Sequence, residues 1–238
     1  MRSRFHMNSI KFISFRVLFF LFALGMMQAC KKESIKPPSP SFNYFPTEKG
    51  KWVEYDVDSI YHAENDNNND DSVYAYHFQI REELDTTYSD GQGRPTQVLL
   101  RYKRNSDGED WVLVSVWTQN LSLSSAYRTE DNIPYHKLAF PINGSTTWDG
   151  NDANTNEEEM YEYEDFHIER SFGSFDFDST LSVLQRDEDN FVERIYGQEI
   201  YATGVGMVFK ERDDLGKRNG IVVKGLEYKM TLRDFGPR

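Results

Sequence analysis

The sequence predicts an all-β domain with at most a minor helix, built as an antiparallel, mostly sequential sheet that curls strongly or closes into a barrel-like meander. Three observations predict it. Apolar and polar residues alternate with period two along most of the chain after residue 42. Clusters of Gly, Asn and Asp separate the alternating runs. Aromatic residues make up 15% of the 238 positions, a load that an open sheet wet on both faces cannot shelter. A two-sheet β-sandwich is the alternative that buries the same side chains.

The strands follow in order. Across residues 51–61, Val53, Tyr55 and Val57 alternate with Glu54, Asp56 and Asp58, as a strand with one wet face requires. Tyr74, Tyr76, Phe78 and Ile80 then share a face opposite Ala75, His77, Gln79 and Arg81. Further strands are expected over 96–104, over 111–119 with Val112, Val114 and Val116 on one face, and over 121–128. The turns Asp90-Gly91-Gln92-Gly93 and Asn105-Ser106-Asp107-Gly108 tolerate the positive backbone angles that tight connections need. In the second half the expected strands are 160–170, 181–186, 199–211 and 221–234, with 213–220 as the last connection and 189–196 as the one short helix. Gly204 and Gly206 suggest a bulge or a close backbone crossing.

The N-terminal region carries no such alternation. Arg2, Arg4, Lys11 and Arg16 precede an apolar run, residues 17–25, of signal-peptide length and too short to span a bilayer. Met27-Gln28-Ala29-Cys30 resembles a lipobox, in which a small residue precedes the acylated cysteine; Met27 and Gln28 depart from its usual residues and Ala29 fits. Cys30 is the only cysteine in the chain, and lipidation accounts for it. The expected organisation is a cleaved signal peptide over 1–29, a lipidated cysteine with a Pro-rich tether over 30–41, and one β domain over 42–238. Lys31-Lys32-Glu33 resembles the charged tag of surface-displayed Bacteroidota lipoproteins. It implies an outer-membrane anchor, with the cell surface favoured over the periplasmic face.

Loss of residues 1–29 removes four basic residues and no acidic one, taking the formal charge from −12 to −16. Such a surface repels nucleic acid, so the expected membrane contact is through acyl chains on Cys30. Two stretches, Phe45-Pro46 with Gly50-Lys51-Trp52-Val53 and residues 200–211, resemble an uncharacterised family of Bacteroidota lipoproteins. The resemblance implies a signal peptide and an anchor, and no activity.

Signals for chemistry are sparse. No nucleophile elbow, zinc-protease, phosphate-loop or paired-cysteine motif occurs, and His62, His77, His136 and His167 are scattered, so no catalytic residue, cofactor or metal is expected. The oxygen-rich run Asp66 to Asp71 has Asp71 where a calcium loop has glycine and His77 where it has glutamate. Asp149-Gly150-Asn151-Asp152 with Glu157, Glu158 and Glu159 is equally incomplete. Asp-Ser/Thr-apolar tripeptides at Ser59, Ser72, Thr86 and Ser179 resemble the O-glycosylation signal of exported Bacteroidota proteins.

The leading expectation is a noncatalytic, lipid-anchored envelope protein serving interaction or assembly. A carrier of an apolar ligand would line its concavity with Tyr74, Tyr76, Phe78, Trp111 and Trp117. A surface glycan binder would stack sugars on Trp148, Tyr161 and Tyr163, with Asp149 and Asn151 bonding hydroxyls. The anchor is directly testable: Cys30→Ser is expected to abolish incorporation of labelled palmitate and to move the chain from the membrane fraction to the soluble one. Continued labelling of the variant would remove the assignment.

Overall fold

The computed structural model describes residues 42–64 and 72–237, so Met27, Gln28, Ala29, Cys30 and the whole Asp66 to Asp71 run lie outside the described residues. Twelve antiparallel strands form one sheet: β1 Trp52–His62, β2 Val73–Ser89, β3 Pro95–Arg104, β4 Val112–Leu121, β5 Ser125–Glu130, β6 Ile133–Ala139, β7 Thr147–Asp149, β8 Met160–Phe172, β9 Phe175–Asp189, β10 Glu193–Ala202, β11 Gly206–Arg218 and β12 Ile221–Gly236. Their spatial order is β6-β5-β4-β3-β2-β1-β12-β11-β10-β9-β8-β7. Two meanders thus join where the first and last strands pair, from Trp52 opposite Gly236 to His62 opposite Gly225.

This order leaves β6 and β7 as edges, and the sheet curls until they meet. The His136 amide donates to the Gly150 carbonyl at 2.9 Å. Side chains satisfy the remaining edge groups: Trp148 Nε1 donates to the His136 carbonyl at 2.9 Å, Asn154 Nδ2 to the Pro134 carbonyl at 2.8 Å, and Tyr163 OH to the Ala139 carbonyl at 2.6 Å. The result is a nearly closed, barrel-like sheet. Gly150 is required at this seam, because a Cβ there would meet the Tyr161 ring at 2.2 Å.

Register shifts supply the curvature. Bulges interrupt the β1–β12, β2–β3, β3–β4, β5–β6, β8–β9, β9–β10, β10–β11 and β11–β12 ladders, and each adds local twist. The apolar core fills one end of the barrel, with Tyr55, Val57, Ile80, Leu138, Leu181 and Val183 each at most 1% exposed. Tyr44 and Phe45, just after a 3₁₀ turn at Phe42–Tyr44, are buried against this core; the Gly204 amide donates to the Asn43 carbonyl at 2.8 Å, and Gln119 Nε2 to the Pro46 carbonyl at 2.7 Å. The domain therefore enters its barrel at the end marked by the β10–β11 turn.

Several expectations change here. Residues 189–196 form no helix: Asn190 Oδ1 accepts the Val192 and Glu193 amides in a hairpin turn, and β10 begins at Glu193. Residues 199–211 are not one strand, since the chain turns between Ala202 and Gly206, where Gly204 and Gly206 have φ of 79° and 100°. β11 runs on to Arg218, leaving Asn219 and Gly220 as the final turn. Val112, Val114 and Val116 are all exposed, while Trp117 and Gln119 of the same strand are buried.

Gly225 sits where β12 crosses close to β11. Its φ is 122°, and a Cβ would meet the Asp214 carbonyl oxygen at 2.0 Å. Gly225→Ala is expected to cost about 2–4 kcal/mol, a fall of roughly 6–12 °C in Tm by calorimetry. Gly91→Ala, with nothing within 4 Å, is expected to stay within about 0.5 kcal/mol of the parent.

Candidate functional site

Away from the apolar end the barrel interior becomes charged. Lys137 on β6 donates to Glu199 Oε1 on β10 at 2.8 Å and lies 3.0 Å from Glu130 Oε1. Lys210 on β11 reaches the same Glu199 oxygen at 3.0 Å, and Tyr201 OH donates to Glu199 Oε2 at 2.5 Å. A second group adjoins it: Arg128 Nη1 donates to Glu82 Oε2 at 3.1 Å, and Arg101 lies 3.4 Å from Glu82 Oε1 and over the Trp117 ring. Glu199 is wholly enclosed, and Lys137, Glu82 and Arg128 are buried. β6 and β10 are far apart in sheet order, so the Lys137–Glu199 pair crosses the barrel.

Burial alone would hold Glu199 neutral. Attraction to Lys137 and Lys210, with hydrogen bonds from Lys137 and Tyr201, outweighs it and keeps the carboxyl well below its ordinary range. Glu130 behaves alike: burial raises its pKa, but Lys137 and Lys210 prevail and lower it to about 2. For Lys137 burial works against the charge, while Glu130 and Glu199 together hold its pKa above the usual lysine value.

Lys137, Glu130 and Lys210 form the floor of a cavity of about 610 Å³ that opens beside the 151–160 loop and the start of β10, with Glu199 enclosed behind them. An inner lobe of about 300 Å³ shares Glu130, Lys210 and Arg212 with it and continues to Arg101, Arg128 and Tyr228. Along β10 and β11 the mouth lies at the strand ends opposite the Ala202 to Gly206 turn, hence opposite the end where the domain's chain enters. Tyr135, Tyr161 and Tyr196 contribute aromatic surface, and Glu157, Glu158 and Asp187 give the rim its charge.

The residues singled out for sugar stacking have another task. Trp148, Tyr163 and Asn151 are 6%, 5% and 7% exposed and are bonded into or beside the β6–β7 seam. Asp149 Oδ1 accepts the amides of Asn151 and Glu159, which folds the loop rather than presenting an acceptor. Tyr161, also buried, does line the cavity and bonds Glu159. An exposed platform is therefore absent at these positions. The apolar carrier lining is not assembled either: Tyr74 and Tyr76 are half-exposed, and of the five aromatics only Trp117 borders a described cavity, beside three arginines.

Among the described residues no group of three or more His, Asp or Glu is arranged to hold a metal. His62, His77, His136 and His167 occupy four separate places, bonded to Glu227, Asp58, Asp152 and Tyr44 respectively. Of the modification tripeptides, Ser59 is buried and the Ser179 hydroxyl is held by Tyr44 OH at 2.6 Å, whereas Thr86 is exposed and Ser72 partly so.

The fold and cavity together define a nearly closed, twelve-stranded antiparallel barrel with a charged mouth. No family model matches the chain, and no curated protein sequence matches it. Two solved structures resemble it. One is a candidate exported protein with a YmcC-like fold from Bacteroides fragilis, with a TM-score of 0.45 and 13% identity over 81% of this chain and 98% of that one. The other is a candidate lipoprotein from Parabacteroides distasonis, with a TM-score of 0.39 and 12% identity over the same shares.

The electrostatics fix a pH window. Glu130 and Glu199 have lowered folded pKa values, so their contribution is present above the unfolded value near 4.5 and is lost as pH falls toward 2. Lys137, with a raised pKa, contributes fully below its unfolded value near 10.5. Chemical denaturation should therefore give a stability flat from about pH 6 to 8 and falling steeply below about pH 5. Glu130→Gln should flatten that acid limb, and Glu199→Gln, which leaves Lys210 without a carboxylate partner and Lys137 with Glu130 alone, should cost about 3–5 kcal/mol at neutral pH.

Proposed function

We propose that this chain is a lipid-anchored, noncatalytic envelope protein on the outer membrane whose barrel is a binding module, with the mouth cavity as its interaction site. One observation carries the reading. The buried Lys137 and the half-buried Glu130 at the cavity floor, with the enclosed Glu199 behind them, are all held in their charged forms. General acid–base chemistry needs groups poised near the working pH, whereas fixed charges serve to hold and orient a ligand.

A cavity of about 610 Å³ has the size of a small-molecule site, and its charged lining disfavours an apolar cargo. Native mass spectrometry of the acylated chain released from membranes in mild detergent tests the reading. A noncovalently bound small molecule is expected, lost in Arg212→Glu and recovered chemically unchanged after incubation. A wild-type protein empty after exposure to envelope extracts, or a molecule recovered altered, would contradict it.

A further inference from the structure

The charges of the cavity are sorted by depth. Arg101, Arg128, Lys137, Lys210 and Arg212 line the two lobes with Glu82 and Glu130, and Glu199 lies enclosed behind Lys137 and Lys210, an excess of positive charge inside a chain whose formal charge is −12. At the rim the order reverses. Glu157, Glu158 and Asp187 are exposed and have no cation within ion-pair distance among the described residues; of the arginines near them, Arg186 is engaged by Glu188 at 3.0 Å and Arg194, which also feels Asp187, by Asp213 at 2.8 Å.

Two cations of the lining are left with capacity to bind, the exposed Arg212 and the buried Arg128. Arg212 is exposed to both lobes and has no carboxylate partner among the described residues. Arg128, more than nine-tenths buried against the inner lobe, has an Nε with no hydrogen-bond partner. A buried guanidinium donor left unpaired costs free energy that an entering acceptor would recover. The rim asks for the opposite, since a multiply charged anion would have to pass three unneutralised carboxylates.

From this arrangement we propose that the cavity takes a small dipolar ligand, with a carboxylate seated inward beside Arg212 and Lys210 and an ammonium group held outward by Glu158 and its rim neighbours. A singly charged acid satisfies the floor and leaves the rim unmet; a simple amine does the reverse. Only a ligand bearing both charges, separated along its length, matches both layers. Tyr135, Tyr161 and Tyr196 lie between as apolar walls for the connecting stem. The inference rests on the binding reading above and names the class of ligand for that same site.

Three probes of similar length separate the contributions: ε-aminocaproate, caproate and hexylamine, each titrated calorimetrically into the acylated full chain in neutral detergent. The expected result is that ε-aminocaproate binds about tenfold or more tightly than either single-ended probe. Arg212→Gln should then weaken ε-aminocaproate and caproate and spare hexylamine, and Glu158→Gln with Asp187→Asn should weaken ε-aminocaproate and hexylamine and spare caproate. Caproate binding as tightly as ε-aminocaproate would overturn the dipolar class in favour of a plain anion site. Failure of all three probes would overturn it too, while a molecule retained in native mass spectrometry would still uphold the binding reading.

Discussion

Glu199 is wholly enclosed, and a carboxylate in that position is tolerable only because two lysines and a tyrosine hydroxyl converge on it. An isolated buried charge would cost several kcal/mol, so the arrangement makes demands on everything around it. Lys137 comes from the edge strand β6 and Glu199 from β10, and they meet only if the sheet has curled. The pair thus ties the end of the first meander to the middle of the second. What it adds is specificity, because a register slip of one residue would turn Lys137 or Glu199 outward and remove one of the other's two charged partners.

That crossing contact and the seam act together. Trp148, Tyr163 and Asn154 satisfy carbonyls of β6 that would otherwise be open, so the edges close without a continuous ladder between β6 and β7. A ladder would draw the walls together along their full length. Closure through side chains leaves the loop over 151–160 standing off the floor, and the space between becomes the cavity. The opposite end is stoppered by Tyr44 and Phe45 and is mainly apolar, with Glu82 and Arg128 reaching the space beside Phe45. The barrel is therefore polarised along its axis, dry at the end where the domain begins and charged at the mouth.

Much of the fold was legible in residue order. β1 and the inner end of β2 show their alternation plainly, and Val53, Tyr55, Val57 and Ile80 are buried as that alternation requires. β6 was not legible, because His136, Lys137, Leu138 and Ala139 are all buried in succession: the strand has cover on both faces at the seam. β7 has only three residues. Asn190 misled for a different reason, since a side-chain oxygen accepting the next amides caps a helix and forms a hairpin turn by the same chemistry. The site was less legible still. Glu82, Arg128, Glu199 and Lys210 sit at alternating positions where polar residues ordinarily mark a wet face, and nothing local distinguishes a charge facing water from one facing a partner across a barrel. Trp148 and Tyr163 looked like free aromatics because their bonds are to β6, itself unread.

The most direct measurement is the titration of the Glu199 side-chain carboxyl by carbon-detected NMR in the intact chain, assigned with Glu199→Gln. The ion web requires that this carboxyl stay ionised down to the acid unfolding transition. A titration in the ordinary glutamate range, near 4.3, with the fold intact would show a hydrated interior in which Lys137 does not hold Glu199, and would contradict the account.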